Sequence, residues 1–152
     1  MTTQVAIITG ASRGIGAVIA KQLAADGYAV AINYASSATE ASKLVVELRQ
    51  AGHQAIAIQG DVAKPADIKR LFDETEAQLG KVDVLINNAG ILKTLPLAQH
   101  SDELYDQNFD IHTRGTFNAL REAATRLNDG GRIVNFSSST VGLNFQGYAV
   151  YI

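Results

Sequence analysis

The sequence contains no cysteine, which excludes disulfides, thiolate nucleophiles and cysteine-bound metal centres. It has only two prolines, Pro65 and Pro96. Both fall at element edges, so no helical or strand pattern is broken from within. No excess of basic charge is present: the formal net charge is −2 and the pI is about 5.9. A surface that neutralises a phosphate backbone is therefore missing, and nucleic acid is not expected as a partner. No uninterrupted apolar run approaches membrane-spanning length. The opening Met1-Thr2-Thr3-Gln4 lacks the basic start and apolar stretch of a secretory leader, so the expectation is a cytoplasmic protein with no membrane partner. No internal repeat, low-complexity tract or linker divides the chain, and one domain over residues 1–152 is expected. His53 and His100 have no second ligand at metal spacing, so no metal site is predicted.

What remains is ordinary globular composition, 47% hydrophobic and 18% charged. Short runs rich in β-branched residues alternate with longer amphipathic segments. Residues 5–9 read as a strand, 15–26 as a helix, 28–33 as a second strand and 38–50 as a second helix. Ser37 with Glu40 three residues on has the pattern of a capping box. Leu44, Val45 and Leu48 supply that helix's buried stripe, and Gly52 stops it. Residues 54–60 form a third strand, and Pro65 suits the first turn of a third helix ending near Gly80. A fourth strand covers residues 82–87. Ser101 is expected to cap one long helix running to about Leu127, and Asn128-Asp129-Gly130-Gly131 breaks it before a fifth strand over residues 132–136. Strands that are apolar throughout need cover on both faces. The pattern therefore predicts an α/β fold, a doubly wound parallel sheet of the Rossmann type in three α/β/α layers. A sheet that stops at its fifth strand leaves an apolar edge, so C-terminal strands are expected to be missing from this chain.

The first strand runs into Thr9-Gly10-Ala11-Ser12-Arg13-Gly14-Ile15-Gly16 and then a helix. Glycines at such a turn let the backbone approach a pyrophosphate, whose charge is met by N–H groups at the helix N-terminus. Glycines also serve close packing alone at strand-to-helix turns. The strand before and helix after favour phosphate binding here. The second strand ends at Asn33-Tyr34-Ala35-Ser36-Ser37, where a site selective for NAD would present a carboxylate to the ribose hydroxyls. None is present. Arg13, with donors from Asn33, Tyr34 and Ser36, is instead expected to hold a 2′-phosphate. The reading is NADP(H), against the plainer one of a solvated arginine beside a polar loop.

Together with that turn, three further segments resemble the short-chain dehydrogenase/reductase family. They are Asp61-Val62 after the third strand, Asn87-Asn88-Ala89-Gly90 after the fourth, and a serine thirteen residues before a tyrosine after the fifth. The resemblance covers essentially the whole chain. It implies that Asp61 accepts from the adenine amino group and that Val62 flanks the ring. It implies further that Asn87, Ala89 and Gly90 pack along the nicotinamide ribose, while Asn88 ties the central strands together. Cofactor-binding positions on this reading are Gly10, Ser12, Arg13, Gly14, Ile15, Gly16, Asn33, Tyr34, Ser36, Asp61, Val62, Asn87, Ala89, Gly90 and Ile111. Each segment has a bland alternative, since Asp after a strand is a common turn former. Their joint placement at the right strand ends favours the family.

The family spacing selects Ser138 with Tyr151, and excludes Tyr148, which stands only ten residues on. A carbonyl receiving hydride needs a proton donor and a dipole on the developing alkoxide. Tyr151 is expected to supply the first and Ser138 the second, with Ser137 and Ser139 serving the turn. A phenol of pKa about 10 needs nearby positive charge to work at neutral pH. The family places a lysine four residues after the tyrosine, beyond Ile152, so the chain is expected to be truncated before it. His112 stands where the family usually has an asparagine three residues before a glycine, here Gly115. The asparagine holds a water in the family's proton relay. His112 either substitutes in that relay or is a silent histidine satisfied by a backbone carbonyl.

The resulting expectation is an oxidoreductase that moves a hydride between NADPH and a ketone or secondary alcohol, similar to 3-oxoacyl-[acyl carrier protein] reductases. The segment from Ile91 to Leu97 is apolar apart from Lys93 and Thr94, and the resemblance implies that it borders the substrate, which suits a moderately apolar ketone. A homodimer or homotetramer is implied by the resemblance. The competing reading is an inactive NADP-binding module that lacks the lysine. A methyltransferase, which shares the alternating pattern, would want an acidic residue where Asn33 stands.

Overall fold

Five short apolar runs become five strands: β1 (Val5–Ile8), β2 (Ala29–Tyr34), β3 (Ala55–Gln59), β4 (Val84–Asn87) and β5 (Arg132–Asn135). They were located in a computed structural model that describes residues 3–152; Met1 and Thr2 of the N-terminal stretch read above lie outside the described residues. Every pairing is parallel, in the order β3-β2-β1-β4-β5. Each of the first four strands is followed by a crossing, and the helices are α1 (Gly14–Ala25), α2 (Ala38–Gln50), α3 (Pro65–Leu79), α4 (Asp102–Phe109) and α5 (Gly115–Arg126). The order places β1 and β4 side by side. Their C-terminal ends then diverge toward opposite layers, which opens the crevice where such sheets bind ligands.

Successive residues of a strand face opposite sides of the sheet, and along β1 to β4 both sides are covered. Ala6, Ile8, Val30 and Ile32 pack with Ala20 and Ala24 of α1 and with Leu44 and Leu48 of α2. Ile7, Ala31, Ile56 and Ile58 face the other way, against Leu71 and Phe72 of α3 and Ala119 of α5. The small alanines of α1 and α5 let those helices approach the sheet closely. Burying one Ile, Leu or Phe side chain in such a layer contributes about 1.5–3 kcal/mol. On the α3 side, Arg126 binds Asp73 and Glu76 of α3 at 2.8 Å each and Glu122 of its own helix at 3.1 Å. Its guanidinium also lies over the Phe72 ring.

Two local expectations are overturned and one holds. The long helix over residues 101–127 is two helices, joined by a π-helical turn over Asp110–Arg114. A hydrophobic period cannot show this, because one extra residue per turn changes hydrogen bonding rather than composition. The turn leads into the close approach of Gly115 to Val62, where a Cβ on the glycine would lie 2.6 Å from Val62 Cγ2. The expected Ser101 cap does form, with Leu104 N donating to Ser101 Oγ at 3.3 Å. The Ser37 capping box does not: the Ser37 side chain makes no cap bond, and the residue turns instead toward the groove described below. β5 is the edge of the described sheet, with Ile133 and Val134 exposed.

Candidate functional site

The turn after β1 is built from two left-handed glycines, Gly10 at φ 61° and Gly14 at φ 57°. A Cβ on Gly10 would stand 2.8 Å from Ala89 Cα, so only glycine lets this turn meet the loop after β4. Gly14 differs, since a Cβ there would meet nothing within 4 Å. Gly16 is a packing residue: its added Cβ would meet Asn88 Nδ2 at 2.6 Å and Ala11 Cα at 2.8 Å. No side chain caps the start of α1, whose N-cap is the exposed Arg13. The first N–H groups of that helix are thus left for an anion.

A groove of about 410 Å³ runs along this turn. Gly10, Ser12, Arg13, Gly14 and Ile15 form one side of it, and Asn33, Tyr34 and Ser36 form its far end. Asp61, Val62, Ala89, Gly90 and Ile111 complete it. Two candidates behave differently from expectation. Gly16 does not line the groove, for the packing reason just given. Asn33 is 1% exposed, and its Nδ2 already donates to Gly60 O at 3.0 Å and Ile58 O at 3.4 Å, while its Oδ1 accepts from Gly10 N. It has no donor left for a phosphate, and acts by tying the glycine turn to the end of β3.

A second cavity, about 490 Å³, opens from the same region and shares Ile15, Asn88, Ala89, Gly90 and Ile91 with the groove. It brings together Ser138, Tyr151, His112 and Asn87, which come from β5's exit, the last turn, the π-helical turn and the end of β4. Tyr148 does not line it. The Ser138 Oγ accepts from Thr140 N at 3.3 Å and lies 2.7 Å from Thr140 Oγ1. Ser138 itself therefore caps the 3-10 turn Ser139–Gly142, a task the sequence assigned to Ser137 and Ser139. His112 Nε2 lies 2.7 Å from Ile91 O and 3.1 Å from Ile91 N. One ring nitrogen cannot both give and receive a proton, and the shorter contact favours Nε2–H donating to the carbonyl. Nδ1 is then the ring's acceptor. The imidazole is satisfied by a backbone carbonyl, as the plainer reading held, and still faces the cavity.

The sequence model of the family described as short chain dehydrogenase matches residues 4–152. The chain belongs to the short chain dehydrogenase family. It is 44% identical over 137 residues to the short chain dehydrogenase/reductase AacuN of Aspergillus aculeatus, covering 90% of this chain and 52% of that protein. It is 40% identical over 149 residues to the 3-oxoacyl-[acyl-carrier-protein] reductase FabG of Staphylococcus epidermidis, covering 97% of this chain and 61% of the reductase. A solved short chain dehydrogenase from Burkholderia cenocepacia in complex with NADP matches 99% of this chain at 38% identity and a TM-score of 0.94, over 62% of its own length. The chain thus spans between about half and two thirds of the length of these relatives.

The structure also identifies residues that the sequence did not single out. Thr9 Oγ1 accepts from the backbone N–H of both Asn88 and Ala89 at 3.0 Å, and Asn88 Nδ2 donates back to Thr9 O at 2.9 Å. Asn118 of α5 donates to Val62 O at 3.0 Å and holds the loop after β3. Their signal was weak because a polar residue at a strand end or inside a helix has many ordinary explanations. Among the described residues, no helix is long and apolar enough to cross a membrane.

Proposed function

We propose that this chain is the NADP(H)-binding and catalytic part of an oxidoreductase that interconverts a ketone and a secondary alcohol, similar to 3-oxoacyl-[acyl carrier protein] reductases. One observation carries the reading. The cavity that holds Ser138 and Tyr151 is continuous with the groove along the glycine turn, through five shared residues.

The residues fit a dinucleotide with a 2′-phosphate. The uncapped start of α1 meets the pyrophosphate, and the open space beside Gly14 lets it approach. Arg13 and Ser36 bind the 2′-phosphate, with Tyr34 beside them, because no carboxylate stands at the end of β2 to repel it. Asp61 and Val62 hold the adenine, and Ile111 backs the same stretch. Asn87, Ala89 and Gly90 line the nicotinamide end. When bound, the cofactor supplies or accepts a hydride.

The protein's own groups handle the oxygen. Thr140 donates its backbone N–H to Ser138 Oγ and its hydroxyl lies 2.7 Å from the same oxygen, which holds the serine hydroxyl at the cavity wall, within reach of a substrate oxygen. Tyr151 exchanges the proton on that oxygen. A phenol of ordinary pKa, about 10, needs nearby positive charge to act as an effective acid and base at neutral pH. His112 holds the loop after β4 through Ile91 and lines the cavity beside Tyr151. Leu92, Phe136 and Val141 give the cavity an apolar side, which suits a ketone with apolar substituents. Tyr105, Phe109 and Phe117 are exposed on α4 and α5, and we assign that surface to a homo-oligomer.

Full-length protein incubated with NADPH and a panel of ketones and 3-oxoacyl thioesters should oxidise NADPH in a substrate-dependent way. Failure to bind NADPH in a fluorescence titration would overturn the assignment. Light scattering on the eluting peak tests the oligomer, and a strict monomer removes that part.

A further inference from the structure

Asn135 ends β5 and is the register partner of Asn87, which ends β4. Partners in parallel strands leave the sheet on the same face, and here the two amides meet: Asn87 Nδ2 donates to Asn135 Oδ1 at 2.8 Å. The following ladder bond, from Phe136 N to Asn87 O at 3.1 Å, joins the strands where they begin to part. Beyond it one chain becomes Asn88-Ala89-Gly90 and the other becomes Ser137-Ser138.

The two members of the pair have different surroundings. Asn87 is 7% exposed and lines the cavity with Ser138, Tyr151 and His112. Asn135 is exposed at the edge of the described sheet and does not line that cavity. Among the described residues, Asn135 is the hydrogen-bond partner of the Asn87 side chain. A buried amide that loses its acceptor turns in search of another, because leaving a donor unpaired away from water is unfavourable. Such a turn would move a wall of the cavity.

We infer that Asn135 is a positioning residue. It fixes the Asn87 amide, and through it the spacing between the strand exit that carries Ser138 and the loop that carries Gly90. It touches neither substrate nor cofactor. The inference rests on the cavity being the reaction site proposed above.

The test compares Asn135→Leu, which keeps the size and removes the acceptor, with Asn135→Asp, which keeps an acceptor oxygen in the same place. Both are made in the full-length protein. The expected result is a fall in kcat of about tenfold or more for the leucine variant, with little change in KM for NADPH, and recovery to within about threefold of wild type for the aspartate. Crystal structures should show the Asn87 amide turned in the leucine variant and in place in the aspartate. Equal kcat losses in both variants, or wild-type kcat in the leucine variant, would overturn the inference, since a purely structural edge position has no reason to distinguish an acceptor. If the wild-type protein reduces no ketone, the proposed function fails separately. The crystal structures then decide alone: an unturned Asn87 in Asn135→Leu removes the positioning role, and a turned one restored by aspartate upholds it.

Discussion

The imidazole of His112 stands edge-on to the phenol of Tyr151, with ring centroids 5.5 Å apart and planes at 79°. On its other side the imidazole rests against Gly90, where an added Cβ would lie 2.6 Å from Cε1 and 3.2 Å from Nδ1. Its third constraint is Ile91 O. The ring is thus held between a glycine that lines the groove and a tyrosine that lines the cavity.

Gly90→Ala should therefore push the imidazole rather than the backbone, because the obstacle is the end of a side chain. The fold survives and the alignment near Tyr151 suffers. We expect kcat to fall by about tenfold to a hundredfold, with the melting temperature nearly unchanged. In a His112→Ala background the same glycine substitution should cost little more, as coupled sites require. Additive losses measured in that cycle would show that Gly90 acts only through the cofactor.

Tyr151→Phe keeps the ring beside His112 and removes the hydroxyl. Loss of a positioned acid–base group lowers kcat by about a hundredfold to ten-thousandfold, while NADPH affinity should hold within a small factor. Tyr148→Phe serves as the comparison. Tyr148 packs against Tyr151 at 6.1 Å between centroids but does not line the cavity. Steady-state kinetics in which Tyr148→Phe were the damaging change would reverse the assignment.

The parts of this site that could be read from sequence are those written in residue type at fixed spacing. Gly10 and Gly14 are legible because only glycine occupies their left-handed backbone cheaply, and Ser138 and Tyr151 because their separation matches a family pattern. β1 to β4 are legible because they are covered on both faces and are apolar nearly throughout, with polar residues mainly at their C-terminal ends. What was hidden depends on three-dimensional pairing. The π-helical turn under His112 carries no compositional mark, since Asp110-Ile111-His112-Thr113-Arg114 suits an α-helix equally well. Asn33 has the composition of a phosphate ligand, but its amide is spent on Gly60 and Ile58, strands apart in sequence. The Ser37 capping box matches in spacing and fails in backbone angle, at φ −88° and ψ 61° instead of the extended conformation that aims a hydroxyl back at the helix.

Arg13 is exposed at the head of α1, where its backbone carbonyl accepts from Ala17 N, and its side chain makes no hydrogen bond or ion pair with the other described residues. Its removal should thus leave the fold intact. If it binds a 2′-phosphate, Arg13→Ala loses a charge-assisted contact of about 1.5–3 kcal/mol, or roughly tenfold to a hundredfold in NADPH affinity. NADH affinity should change little. Equal losses for the two cofactors, read by fluorescence titration, would place Arg13 on the shared pyrophosphate instead.

Arg126 makes a sharper prediction about stability, because it joins α3 to α5 through Asp73 and Glu76 while keeping Glu122 on its own helix. The hydrogen bonds it donates to Glu76 are the main cause that raises its guanidinium above the ordinary value, so it stays charged throughout the working range. Asp73 moves the other way: hydrogen bonds from Lys69 and then Arg126 lower its pKa. A carboxyl whose folded pKa is lowered contributes stability above its unfolded pKa, near 3.8, and loses it as pH falls through the lower folded value. Arg126→Met removes the cation and leaves Glu76 and Glu122 without it. At pH about 7 we expect a loss of about 1–3 kcal/mol, seen as a fall in melting temperature of about 2–8 °C. Below pH about 4 the carboxylates are protonated in the unfolded chain, so wild type and variant should converge. Thermal melts across that range decide the matter. A gap that stays constant down to pH about 3 would mean that Arg126 stabilises through its packing on Phe72, 5.3 Å beneath the guanidinium, and not through charge.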